Sequence, residues 1–196
     1  QPELNASLSL GASGSGSVID SATGQRIVTG ATANSYERIN TNVPAYLGIY
    51  FDGTSYFSCS LIMFTNGTDS QFVVGLGNYT DSGTGLTFTE SHYGFKRIRA
   101  ASVTTWSATN ANGTTETTTA ITVDAEANGQ PFAALKTGTT DIKFYQNRTL
   151  QATHTTNMPT SAATNGIPFY SLINNANVAS SSAFVVRDYK FSQDIV

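Results

Sequence analysis

The sequence is poor in charge. Asp, Glu, Lys and Arg make up only 12% of the 196 residues, about half the fraction usual in globular domains. Ten Lys and Arg are scattered along a chain of net charge −3, whereas nucleic-acid binding calls for clustered cations to neutralise phosphates. The one local group, Lys96-Arg97-Arg99, alternates with Ile98 and is expected to form the wet face of a strand. No run of 18 apolar residues occurs, so no helical membrane span and no membrane insertion are expected. Cys59 is the only cysteine, which excludes an internal disulfide. Its apolar neighbours from Tyr56 to Phe64 predict a buried, inert thiol, and one cysteine leaves the redox compartment open. Helical periodicity is missing too. No segment keeps apolar residues at i, i+3, i+4 and i+7 for three turns, and 123–128 is the only short candidate helix. The chain opens at Gln1 without an initiator Met or a signal peptide, so a removed leader or a preceding segment is expected.

What fills the space is hydroxyl, amide and glycine. Ser, Thr and Asn supply a third of the chain, beside 17 Gly. Thr suits pleated surfaces, and Asn and Gly suit turns. Thirteen strands are expected between Tyr36 and Ser192, separated by turn signals such as Asp52-Gly53, Asn66-Gly67, Asn112-Gly113 and Asn165-Gly166. Such spacing indicates two packed antiparallel sheets, an all-β jelly-roll sandwich. At this length one domain is expected, over 31–196. Residues 1–30 stand apart. Leu4, Ala6, Leu8 and Leu10 alternate with Asn5, Ser7 and Ser9 as one amphipathic strand, followed by the Gly/Ser-rich stretch Gly11–Ser17. That strand either opens its own sandwich or is an arm exchanged onto another copy.

The C-terminal stretch is the most patterned. Asp141-Ile142-Lys143-Phe144-Tyr145 turns at Gln146-Asn147-Arg148 into Leu150-Gln151-Ala152-Thr153-His154, and Pro168–Ile173 and Ala183–Phe191 repeat the alternation. The run from Lys143 through Pro159, with Pro168-Phe169-Tyr170 and Asp188-Tyr189-Lys190-Phe191, resembles the last third of concanavalin-like (laminin-G-like) domains. Weaker echoes lie at Tyr46–Ile49 and Asn112–Thr117. The resemblance implies a concanavalin-like sandwich, of the sort found in phage and viral structural proteins and in secreted sugar-binding modules.

Catalytic signatures are sparse. Laminarinase-type glucanases of this superfamily carry Glu-x-Asp-x-x-Glu on one inward strand, because two carboxylates must share a face. Here Asp124-Ala125-Glu126 has no further acid to complete that pattern. His92 and His154 lack a nucleophile partner, and no Gly-x-Ser-x-Gly or His-Glu-x-x-His occurs. The expectation is therefore no catalytic residue and no enzyme. No metal site or cofactor is expected either. The resemblance allows calcium, for which Asp69, Asp81, Asp124 and Asp188 are the available loop carboxylates, without the spacing of an acidic loop. For sugar binding, the aromatic patch expected is Tyr79, His92, Tyr93 and Trp106, although Trp106 taken alone reads as a core residue before a platform. Five Asn-x-Ser/Thr sequons, at Asn5, Asn66, Asn78, Asn112 and Asn147, are candidate glycosylation sites.

Together these features lead to the expectation of a non-enzymatic structural or adhesive protein outside a cell, on a virion or cell surface. Its expected partners are copies of itself or other surface proteins, and glycans. The alternatives are a secreted carbohydrate-binding module or lectin, and a filament subunit joined by the N-terminal strand.

Overall fold

The computed structural model describes residues 7–13, 17–21, 24–30, 35–42, 50–65, 69–77, 80–81, 86–101, 103–123, 129–160, 170–174 and 182–194. These form β1 (Ser7–Ser13), β2 (Ser17–Ser21), β3 (Gly24–Val28), β4 (Tyr36–Asn42), β5 (Ser55–Thr65), β6 (Ser70–Gly77), β7 (Thr80–Asp81) and β8 (Leu86–Thr87). They continue as β9 (His92–Ala100), β10 (Val103–Ala111), β11 (Glu116–Ile121), β12 (Gln130–Thr137), β13 (Asp141–Gln146), β14 (Thr149–His154), β15 (Tyr170–Asn174) and β16 (Ala183–Gln193). One seven-stranded sheet runs β1-β4-β15-β6-β9-β10-β11, and a second runs β14-β13-β12-β5-β16-β3-β2. The fold is an all-β, concanavalin-like jelly-roll sandwich, as the alternation and turn spacing indicated. The candidate helix at 123–128 falls at 124–128 outside the described residues.

Aromatic side chains knit the two sheets together. Phe72 of the first sheet stacks on Phe184 of the second at 4.1 Å between ring centres. Trp106 stacks on Phe132 at 5.0 Å, and Phe95 meets Phe132 and Phe144 at 4.9 and 5.6 Å. Offset and edge-on ring pairs of this kind add to the burial of their large apolar areas. The period-2 pattern follows directly: in β12 and β13 every second residue, Phe132, Ala134, Ile142 and Phe144, points into the core.

Two expectations change here. Gly11, Ala12 and Ser13 lie in β1, which pairs with β4 of the same chain from Ser7↔Asn42 to Ser13↔Tyr36. Residues 17–21 and 24–28 pair with each other at the edge of the second sheet, and β3 also pairs with β16. The described part of 1–30 thus supplies the edge strands β1 and β2 and the inner strand β3 instead of a free linker, because a ladder can be built from Gly and Ser when a partner backbone satisfies their polar groups. Of the arm residues, Leu8 and Leu10 lie in β1, while Leu4 and Ala6 lie outside the described residues. The Lys96-Arg97-Arg99 group is not a wet face. Arg97 is fully buried, donates to Ser70 and Thr104 hydroxyls at 3.1 and 3.2 Å, and lies 5.6 Å over the Phe184 ring. Its charge is tolerated inside because hydroxyls and a ring face replace water.

Candidate functional site: a charged trough on the second sheet

The outer face of the second sheet is organised by register. One row across it runs Tyr145↔Ala133↔Ser58↔Lys190, and the row beside it runs Pro131↔Ser60↔Arg187. The two middle strands, β12 and β5, present small side chains, whereas the flanking strands, β13 and β16, present long ones. A floor of Ala133, Ser58, Ser60 and Pro131 between tall walls is a trough, and it encloses about 650 Å³. Tyr145 and Arg148 belong to one wall, Asp188 and Lys190 to the other, and Tyr56 closes an end beside Leu135. Three inter-strand spacings of roughly 4.8 Å put about 14 Å between the wall backbones.

Both walls depend on unusual backbone. In β16 the register slips between Arg187, opposite Ser60, and Lys190, opposite Ser58. Three steps on one strand against two on the other is a β-bulge, which re-aims side chains. Simple alternation from the inward Phe184 and Val186 would turn Lys190 into the core. The bulge at Asp188 instead lets Arg187 and Lys190 both face outward and returns Tyr189 inward, stacked on Phe57 at 6.4 Å. Asp188 itself has φ of 50°, the left-handed region that non-glycine residues seldom occupy. On the other wall, Asn147 and Arg148 both have positive φ, 48° and 65°, matching the two-residue hairpin turn that suits twisted strands. The Asn147 amide donates to the Pro131 carbonyl at 2.9 Å, which ties that turn to the floor.

A second polar constellation lies on the outer face of the first sheet. Tyr93 and Phe95 of β9 point into the core, so His92 and Lys96 point the other way. His92 Nδ1 donates to the Glu90 carbonyl at 2.7 Å, and Nε2 lies 3.0 Å from the Thr109 hydroxyl. That hydroxyl donates to Glu116 Oε1 at 2.6 Å, which also accepts from Lys96 at 2.5 Å. Burial pushes His92 down to about 4; its bond to the Glu90 carbonyl opposes the shift, and nearby Lys96 adds to it. The imidazole is therefore neutral at pH 7. The Glu116 side chain, 21% exposed, is the more accessible end of the Lys96–Glu116 pair.

The remaining buried polar groups have packing roles. His154 accepts from the Thr119 hydroxyl at 2.9 Å and donates to Asn110 at 2.5 Å, and Asn110 donates to the Thr156 and Asn157 carbonyls. This clasp closes the side of the sandwich where β11 meets β14, and burial lowers the His154 pKa. Lys136, fully buried, donates to the Phe51 and Gly138 carbonyls, and burial pushes it down to about 8 against the pull of Asp52. Burial raises the Cys59 thiol out of reach of physiological pH, which leaves it inert as expected.

The aromatic patch expected from the sequence does not come together. Tyr93 and Trp106 are core residues: Tyr93 shares a 2.6 Å hydrogen bond with Ser55, and Trp106 packs between Phe72 and Phe132. His92 faces away from both, and Tyr79 lies outside the described residues. The strand period forces this, because neighbours such as His92 and Tyr93 point to opposite faces. Asn147 is exposed at its turn and Asn112 caps the β10–β11 hairpin by accepting from Thr114 and Thr115, while Asn5, Asn66 and Asn78 are outside the described residues. Among the described residues no three His, Cys, Asp or Glu gather to hold a metal ion, and no helix is long and apolar enough to cross a membrane. Asp124 is outside them.

No family model matches the chain, and no curated protein does. Solved structures do. An alginate lyase from Pseudomonas aeruginosa superposes with a TM-score of 0.58 at 8% identity, over 90% of this chain and 86% of the lyase. A family 7 alginate lyase in complex with its substrate gives 0.60 at 9% identity, over 89% and 79%. A botulinum neurotoxin type C structure, from a protein whose cell entry depends on two ganglioside molecules, gives 0.52 at 10% identity, over 95% of this chain and 43% of the toxin chain. At such identities the likeness is one of fold. It nevertheless overturns the expected role. A non-enzymatic structural or adhesive protein on a virion or cell surface was expected; the fold is shared with lyases and a neurotoxin chain. The exclusion of catalysis fails with it, because it rested on a missing hydrolase motif and two of these structures are eliminating enzymes.

Proposed function

We propose that this chain engages a polysaccharide, with the trough on the second sheet as the binding site. The observation that carries the reading is the joining of two tyrosines, a hydroxyl-bearing floor and charged walls in one open concavity. Tyrosine rings offer apolar faces to the apolar faces of sugars, with a polar tip for their hydroxyls. Ser58, Ser60 and Asp188 supply directed donors and acceptors, and few polar groups on a shaped surface is the usual composition of a ligand site. The fold neighbours support the class, since one holds a polysaccharide-derived substrate and another belongs to a toxin that depends on gangliosides. Affinity electrophoresis through gels containing a panel of polysaccharides tests it. Retardation by at least one polymer, weakened by Tyr145→Ala and Tyr56→Ala with unchanged circular dichroism, is the expected result. Free migration in every gel overturns the reading.

The second reading is eliminative cleavage, favoured by the polar series Lys96–Glu116–Thr109–His92, in which the single Thr109 hydroxyl proton can go to Glu116 Oε1 or to His92 Nε2. A neutral imidazole and a partly exposed carboxylate on either side of one hydroxyl is a layout that proton transfer can use. Incubation with the same polymers, followed by ultraviolet absorbance of unsaturated sugar ends, tests it. Absorbance that grows with the native chain and not with Glu116→Gln supports this reading, and a flat trace removes it.

A further inference from the structure

We infer that the trough selects an anionic glycan, one bearing carboxylate or sulfate on its sugars, over a neutral one. This rests on the saccharide reading of the same trough. The chain has ten Lys and Arg, and two of them, Arg148 and Lys190, line this one concavity from opposite walls. Against them stands one acid, Asp188. In a chain of net charge −3 that local surplus is not a sample of the surface average. It is also built. The bulge at Asp188 turns Lys190 outward, and a turn with two left-handed residues places Arg148 at the other rim. Guanidinium groups match carboxylate and sulfate oxygens in a planar, two-pronged fashion, whereas an ammonium acts as a point charge. Walls about 14 Å apart with cations on both sides suit a chain with charged groups on either edge, and small floor residues leave the sugar backbone room to lie between the tyrosines.

The test uses the full chain and three soluble polymers of similar length: polygalacturonate for carboxylate, dextran sulfate for sulfate, and dextran as the neutral reference. Dissociation constants are measured by calorimetry for the native chain and for Lys190→Ala, Arg148→Asn and Tyr145→Ala. Asn is chosen at 148 because it keeps the left-handed backbone while removing the charge. The expected result is affinity for a charged polymer at least tenfold above dextran, weakened about tenfold by each cation variant and reduced as salt screens the contacts. The ratio between the two charged polymers then identifies the anion. Dextran bound as well as the others, with loss in Tyr145→Ala alone, overturns the anionic inference and leaves the saccharide reading standing. Binding to charged polymers that survives both cation variants also overturns the inference, because the charge would then be read elsewhere. Binding to none of the three overturns both.

Discussion

Acidification should destabilise this sandwich through His92 in particular. Its imidazole is fully buried between the Glu90 carbonyl and the Thr109 hydroxyl, with the Lys96 ammonium and the Glu116 carboxylate one bond further on. Burial lowers it from 6.5 to about 4 in the folded chain. The unfolded chain therefore takes up the proton first as pH falls. Stability from this group is complete above about pH 6.5 and drains away toward pH 4, because the unfolded state binds more protons throughout that window. A shift of two to three units at 1.36 kcal/mol each corresponds to about 3 kcal/mol, a large share of the roughly 5–15 kcal/mol that holds a typical domain together. Urea unfolding at several pH values between about 7.5 and 4, for the native chain and His92→Gln, isolates the effect. Gln keeps a donor and an acceptor at the site but does not titrate, and His154 is present in both chains, so its contribution cancels. The native chain should lose about 3 kcal/mol more than the variant over that range. Parallel pH profiles, within about 0.5 kcal/mol, would refute the reasoning and mean that His92 is no more buried when folded than when unfolded.

Three further substitutions probe the sandwich and one wall of the trough. Phe144→Ala, in contact with Phe95 and His154, should cost about 3–5 kcal/mol in urea unfolding, and a loss under 1 kcal/mol would mean the inward face of β13 is misassigned. Gly94 faces Gly75 across β9 and β6, and a methyl on it would sit 2.2 Å from the Val74 carbonyl oxygen and 2.7 Å from the Gly75 Cα. Both obstacles are backbone, so Gly94→Ala should destabilise by at least the roughly 1–3 kcal/mol of ordinary overpacking, and an unchanged midpoint would contradict the close approach of these strands. Asp188→Gly relieves a left-handed backbone at φ 50° worth about 1 kcal/mol and should leave the chain as stable or more so; a marked loss would show that the Asp188 side chain, not the bulge, holds this wall.

The sandwich was legible because alternation survives in most strands: Ile142 and Phe144 inward with Lys143 and Tyr145 outward is readable from residue order alone. The edge strand β2 and its neighbour β3 were not, since Ser17–Val28 does not keep a strict apolar alternation and takes its pairing from partner backbones. The buried cations were missed for a related reason. Arg97 and Lys136 occupy inward strand positions where hydroxyls and carbonyls outside their own strands replace water, and no local pattern announces that. The trough is a product of register. Ser58, Ala133, Tyr145 and Lys190 are far apart in sequence and become one row only when four strands align. The signal available in the sequence was Val185-Val186-Arg187-Asp188-Tyr189-Lys190-Phe191, where Arg187 and Lys190 stand three apart in a strand of period two. That mismatch implies a bulge, and bulges gather near functional sites. Within the expected patch of Tyr79, His92, Tyr93 and Trp106, the strand residues His92, Tyr93 and Trp106 were grouped without regard to the face each one takes.

The central claim is that the second sheet's outer face is where a glycan binds, and amide chemical-shift mapping addresses it most directly. A titration of the isotopically labelled chain with a short acidic oligosaccharide should move the amides of Ser58, Ser60, Ala133, Tyr145, Arg148 and Lys190 together along one saturation curve. Shifts gathered instead around His92, Thr109 and Glu116 on the other sheet, or no shifts at all, would contradict it.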